Sequence, residues 1–238
     1  MAAAQRKRPA ASATRKRLTA PARERQIVEA AVRFFAEAGF SGRTRELTQR
    51  LGITQPLLYR YFPTKRKLIE RVFEEVFVNR VDPKWMQLLA DRSRPLAERL
   101  IEFYGLYAAT TYRYEWIRIY TFIGLAGEDF NRRYIKIVES SILKPICNEL
   151  RHYCGLPGDD IIPISELELE QIWVLHGGLF YYAVRRHIYH ARVSDDFPAI
   201  VTRAVGVLLE GMQALAARSG RPGGLPVNAP KRAGRTRA

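Results

Sequence analysis

Residues 51–68 read Leu51-Gly52-Ile53-Thr54-Gln55-Pro56-Leu57-Leu58-Tyr59-Arg60-Tyr61-Phe62-Pro63-Thr64-Lys65-Arg66-Lys67-Leu68. Gly52 reads as a helix stop and the start of a tight turn. Thr54 is placed to cap the next helix, and Pro56 falls in its first turn, where a missing N–H costs little. That helix runs from Leu57 to Phe62, and Pro63 ends it. Upstream, Thr44 to Leu51 reads as another short helix, with Thr44 as its N-cap and Leu47 and Leu51 turned inward. Two short helices joined at Leu51-Gly52-Ile53-Thr54 make a helix-turn-helix.

A longer helix precedes this pair. Ile27, Ala30, Ala31, Phe34, Phe35 and Ala38 recur at helical spacing, Gly39 stops the helix, and Phe40 can pack back on it. The chemistry suits DNA. A helix of about eight residues is about 12 Å long and can enter a major groove by its end. Its N-terminus and the Thr54 hydroxyl favour phosphate. Gln55 can offer an amide to a base edge, and Arg43, Arg45, Arg60, Lys65 and Lys67 surround it with positive charge.

These residues resemble the TetR family of bacterial transcription regulators. The run from Ile27 to Phe40 looks like that family's first helix. Leu47-Thr48 through Leu51-Gly52-Ile53-Thr54 is similar to its second helix and turn. Leu58-Tyr59-Arg60-Tyr61-Phe62-Pro63-Thr64-Lys65-Arg66-Lys67-Leu68 is similar to its recognition helix and the start of the next. Two departures stand out: a short link from Gly39 to Thr44, and Thr48 and Leu51 where smaller residues are usual. The resemblance implies that Thr44, Arg45, Thr54, Gln55, Pro56, Tyr59, Tyr61 and Lys65 face DNA. Gln55 and Arg45 would read bases, Tyr59 and Lys65 would hold phosphates, and Leu58 and Phe62 would be core.

The chain has 238 residues, 39 Lys+Arg against 24 Asp+Glu, and a formal net charge of +15. A polyanion is the expected partner of so basic a chain. Residues 1–25 and 218–238 carry +13 of that total, and 43–67 carry +6. Both ends are rich in Ala, Arg, Pro and Gly and are expected to be disordered basic tails. The expected layout is a 1–25 tail, a 26–67 helix-turn-helix DNA-binding domain, a 68–217 ligand-binding and dimerisation domain, and a 218–238 tail. The fold class is all-α, with about nine helices: a three-helix head on a larger helical body.

In the body, helical segments are read from Leu68, after Ser93, over Trp116–Leu125, Asp129–Tyr153, Ser165–Tyr189 and Asp195–Ala217. Gly177-Gly178 costs helix propensity in mid-helix and suggests close approach of another backbone. The last two helices are read as a homodimer surface. Tyr104, Tyr107, Trp116, Tyr120, Trp173, His176 and Phe180 are candidates to line an apolar pocket with a few polar handles. They suit a small apolar or aromatic effector.

Enzyme chemistry finds no footing. There is no G-x-S-x-G, phosphate-binding glycine loop or H-E-x-x-H. Cys147, Cys154, His152, His187 and His190 read as structural residues, and neither a metal nor a cofactor is expected. No apolar run reaches membrane-spanning length. The expectation is a ligand-responsive, sequence-specific regulator of double-stranded DNA, a dimeric repressor in the bacterial cytoplasm, nucleoid-associated. The alternative is a non-specific structural DNA-binding protein whose tails dominate affinity.

Overall fold

The computed structural model describes residues 18–80, 82–125 and 130–218, and among them all regular structure is helical. The tail residues 1–17 and 219–238 lie outside the described residues, as does Asp129. Helix α1 spans Ala20–Ala38, so residues 20–25, expected in the tail, are helical. Thr19 caps this helix by accepting from Ala22 N, and a proline stands in the first turn. That cap starts the helix before the apolar periodicity begins.

Helices α2 (Thr44–Leu51) and α3 (Gln55–Tyr61) form the helix-turn-helix. Gly52 joins them in the left-handed region, at φ 61° and ψ 36°, which L side chains rarely adopt. Its neighbour closes the turn, Ile53 N donating to Thr48 O at 3.1 Å. The short link before α2 depends on Gly42, where a Cβ would meet the Phe34 ring at 2.8 Å. This tight link makes Arg43 the N-cap, without a side-chain bond, and puts Thr44 inside the helix instead of at its cap.

Helix α4 (Lys65–Phe73) is capped by Thr64, which accepts from Lys67 N, and continues through a π turn at Glu74–Val78. It leaves the head and enters the body. A short helix, α5 (Pro83–Ala90), follows where the periodicity gave no signal, capped by Asp82. Then come α6 (Leu96–Thr111), α7 (Tyr114–Leu125), α8 (Phe130–Val138) and α9 (Lys144–Tyr153). Helices α8 and α9 are continuous through a second π turn, Glu139–Leu143. Helices α10 (Glu166–His187) and α11 (Phe197–Arg218) complete the body.

One apolar cluster runs from head to body, from Ile27, Phe34 and Leu47 through Phe73 and Phe77 to Leu179 and Val205. Helix α1 packs on α7, and α11 on α6. At the α1–α7 seam Arg118 donates to the carbonyls of Ala36 and Glu37, satisfying the end of α1 from the body.

Two buried ion clusters fix the outer body. Glu149 of α9 accepts from Arg92 and from the buried Arg99, which also donates to Leu89 O. Burial alone would raise the Glu149 carboxyl, but the two arginines outweigh it and hold it below the usual range. Arg151 pairs with Glu168 at 2.7 Å and donates to the carbonyls of Ile162 and Pro163, strapping the 154–165 loop to α10. Glu168 also closes the capping box with Ser165.

Candidate nucleic-acid interface and ligand cavity

Helix α3 is anchored by the buried Leu58 and presents Gln55, Pro56, Tyr59 and Arg60 outward. Thr54 is exposed and caps it, accepting from Leu57 N at 3.3 Å. Arg45 is exposed on α2, while Tyr61 and Lys65 are half-buried. Thr44 is 8% exposed, and its hydroxyl lies 3.1 Å from the Tyr59 hydroxyl. It is therefore tucked beneath Tyr59, holding that ring across the two helices, and does not present itself on the open face. Leu58 and Phe62 are core, as expected.

The charges of this face divide in two. Arg50 pairs with Glu37, and Arg66 and Lys67 pair with Glu70. Arg43, Arg45, Arg60 and Lys65 meet no acidic partner among the described residues. The four unpaired cations all lie at or around α2 and α3. Uncompensated charge at the surface of a helix pair is an electrostatic footprint for phosphate.

The expected pocket residues converge in the body. Tyr107, Trp116, Tyr120, Trp173, His176 and Phe180 line a cavity of about 50 Å³ between α6, α7, α8 and α10. Tyr104 is the exception. It is fully buried behind this wall, 6.0 Å from the His176 ring. Tyr134, Ile135, Val138 and Gly177 also line the cavity, unsignalled by the sequence pattern. Tyr134 lies on a helix whose charged residues mask the stripe, and its hydroxyl is 3.0 Å from that of Tyr107. Burial pushes Tyr107 up to about 12 and brings His176 down to about 4, so the imidazole is neutral near pH 7.

The cavity touches the connection to the head. Phe77, within the π turn that extends α4, packs on Trp116 at 5.0 Å and on Tyr134 at 5.1 Å. Trp116 in turn stacks on Tyr120, with 5.2 Å between centroids and 8° between planes. A single layer of rings thus runs from the cavity wall to the helix that carries α2 and α3.

A second surface lies on α10 and α11. Val174 is 77% exposed, Val207 72% and Tyr181 51%. A Cβ added at Gly178, Gly206 or Gly211 of this surface, or at the cavity-lining Gly177, would meet nothing within 4 Å. The backbone approach expected at Gly177-Gly178 is therefore not made by the chain itself. Among the described residues there is no group of three His, Cys, Asp or Glu placed to hold a metal, and no helix is long and apolar enough to cross a membrane. Cys147 is buried with its thiol pushed up to about 12, and neither cysteine is in a disulfide.

A capped helix pair with a cationic rim, set on a larger helical body, defines a helix-turn-helix protein. Residues 27–72 match the family described as bacterial regulatory proteins, tetR family. The tetracycline repressor protein class A from transposon 1721 of Escherichia coli is 32% identical over 85 residues, 32% of this chain and 39% of that protein. The chain thus spans about two fifths of the length of that curated relative.

The whole-chain fold is similar to Mycobacterium smegmatis AmtR, with a TM-score of 0.55 at 22% identity, covering 87% of this chain and 97% of that one. It is also similar to a putative TetR-family transcriptional regulator from Mesorhizobium loti MAFF303099, with a TM-score of 0.56 at 17% identity, covering 83% and 98%. Both likenesses are of fold.

Proposed function

We propose that this chain is a sequence-specific DNA-binding transcription regulator, a ligand-responsive repressor acting as a homodimer on a palindromic site in the bacterial cytoplasm. One observation carries the reading: Arg43, Arg45, Arg60 and Lys65, on or beside α2 and α3, meet no acidic partner among the described residues, and α3 presents Gln55 and Tyr59 outward. In it, Gln55 and Arg45 read base edges, Tyr59 and Lys65 hold phosphates, and Thr44 orients Tyr59. Thr54 and Pro56 set the end of α3 that enters the groove.

Helices α10 and α11 supply the partner surface, supported by their exposed apolar side chains and open glycines. A twofold pair of heads would then meet successive major-groove faces. A small apolar or aromatic effector in the aromatic cavity would act through Phe77 and α4. It can release DNA only as far as it prefers the released arrangement.

The test is fluorescence anisotropy of the full chain on its own upstream region and on random DNA, with sedimentation at micromolar concentration. Tight binding to one site by a dimer supports the proposal. Equal affinity for random DNA, or a monomer, defeats it. The basic tails favour a second reading, non-specific coating of DNA. Deleting 1–17 and 219–238, which leaves the Thr19 cap in place, decides between them. Retained site preference supports the regulator, and loss of nearly all affinity supports the coat.

A further inference from the structure

The aromatic cavity has a chemical signature beyond being apolar. Among the described residues that line it none is charged. Its polar groups are unequally satisfied. The Trp173 indole donates to Glu139, and the Tyr107 and Tyr134 hydroxyls share one hydrogen bond. Trp116 Nε1 and His176 Nδ1 meet no hydrogen-bond partner among the described residues, although their side chains are only 4% and 5% exposed. A buried indole N–H without an acceptor carries a desolvation cost that a ligand acceptor would remove.

We infer that the cavity selects an uncharged, flat aromatic molecule bearing a hydrogen-bond acceptor, which Trp116 Nε1 engages from the inner wall with His176 as the second polar contact. This rests on the reading of the cavity as the effector site and names its ligand class. An anion would lose its hydration with no cation among the lining residues to compensate, and the Glu139 carboxylate on Trp173 adds repulsion. An organic cation is the stronger rival, because ring faces attract cations. Against it, the free Trp116 N–H presents the positive end of its dipole, and His176 is a neutral ring whose burial opposes added charge.

The cavity is about 50 Å³, below the roughly 150 Å³ of an apolar cavity that accepts benzene. A ligand larger than this space would have to part contacts of the lining such as that of the half-buried Tyr120 and Phe180 rings, which meet edge to face at 5.3 Å. A rigid planar molecule can replace that contact with ring contacts of its own.

Four probes of nearly one shape test this by calorimetry on the full chain near neutral pH: naphthalene, quinoline, N-methylquinolinium and 2-naphthoate. Quinoline should bind about tenfold more tightly than naphthalene. Both ions should bind at least about tenfold more weakly than quinoline. In Trp116→Phe the quinoline advantage should vanish while naphthalene affinity stays within about twofold. Should that variant not fold, the four affinities in the unaltered protein still decide. Equal binding of quinoline and naphthalene, or an ion competing with quinoline at equal or higher affinity, overturns the ligand class and leaves the cavity as a binding site. Failure of all four to bind overturns both the class and the cavity as effector site.

Discussion

Head and body spend their charged groups differently. In the head, the exposed Arg43, Arg45 and Arg60 and the half-buried Lys65 meet no acidic partner among the described residues. In the body, Arg92, Arg99 and Arg151 are turned onto Glu149 and Glu168 and onto loop carbonyls. The same residue type is thus left open to a partner in one region and serves architecture in the other. Solvated, unpaired charge is available to a polyanion at little cost. Buried charge needs a fixed partner, because desolvation makes isolation expensive.

The sharpest way to break this contrast is to remove a partner in the body. Glu149→Ala leaves Arg99 buried without its carboxylate and should cost about 4 kcal/mol by urea denaturation. Site preference on DNA, measured on the protein that remains folded, should not change. A stability loss confined to surface-pair magnitudes would erase the distinction between head and body.

Next in size is acidification. The His176 imidazole titrates near 4 when folded and near 6.5 in its ordinary range. The unfolded chain therefore takes up the proton first, and stability falls as pH drops from about 6.5 towards 4. The loss is on the order of 3 kcal/mol. His176→Phe should flatten that window in unfolding curves. Glu149 and Glu168 lie below the usual carboxylate range, so their contribution fades at lower pH still.

In the head the effects should reverse in kind. Gln55→Ala should cost about 1–3 kcal/mol of affinity for the specific site, leaving affinity for random DNA and the melting temperature unchanged. Thr44→Val should cost about 1 kcal/mol of specific affinity by releasing Tyr59. Anisotropy titrations with both DNAs read these directly. A large stability change from Gln55→Ala would mean that the face is structural.

Much of the head is legible because its signals are local. Gly52, Thr54, Pro56 and the Phe34-Phe35 stripe act within a few residues, and the elements form where those signals place them. The early start of α1 escapes the pattern because Thr19 caps it ahead of any apolar repeat. Thr44 looks like a cap but is not one, because Gly42 tightens the link against Phe34. The cavity is largely legible, since aromatics on helical stripes point inward together. Tyr104 and Tyr134 exchange places because periodicity ranks burial and not which buried ring borders a space.

The sequence by itself determined the helical class, the helix-turn-helix and the concentration of charge at the ends and the head, because capping, turn chemistry and charge are properties of short runs. Tertiary structure alone decided which head cations lack partners among the described residues, which arginines serve the body, and which buried polar atoms are left without a hydrogen bond. Those facts depend on residues brought together from distant positions, such as Arg99 with Glu149, Arg118 with Ala36 and Phe77 with Trp116. No local pattern encodes such pairings, because their energies exist only once the helices have packed.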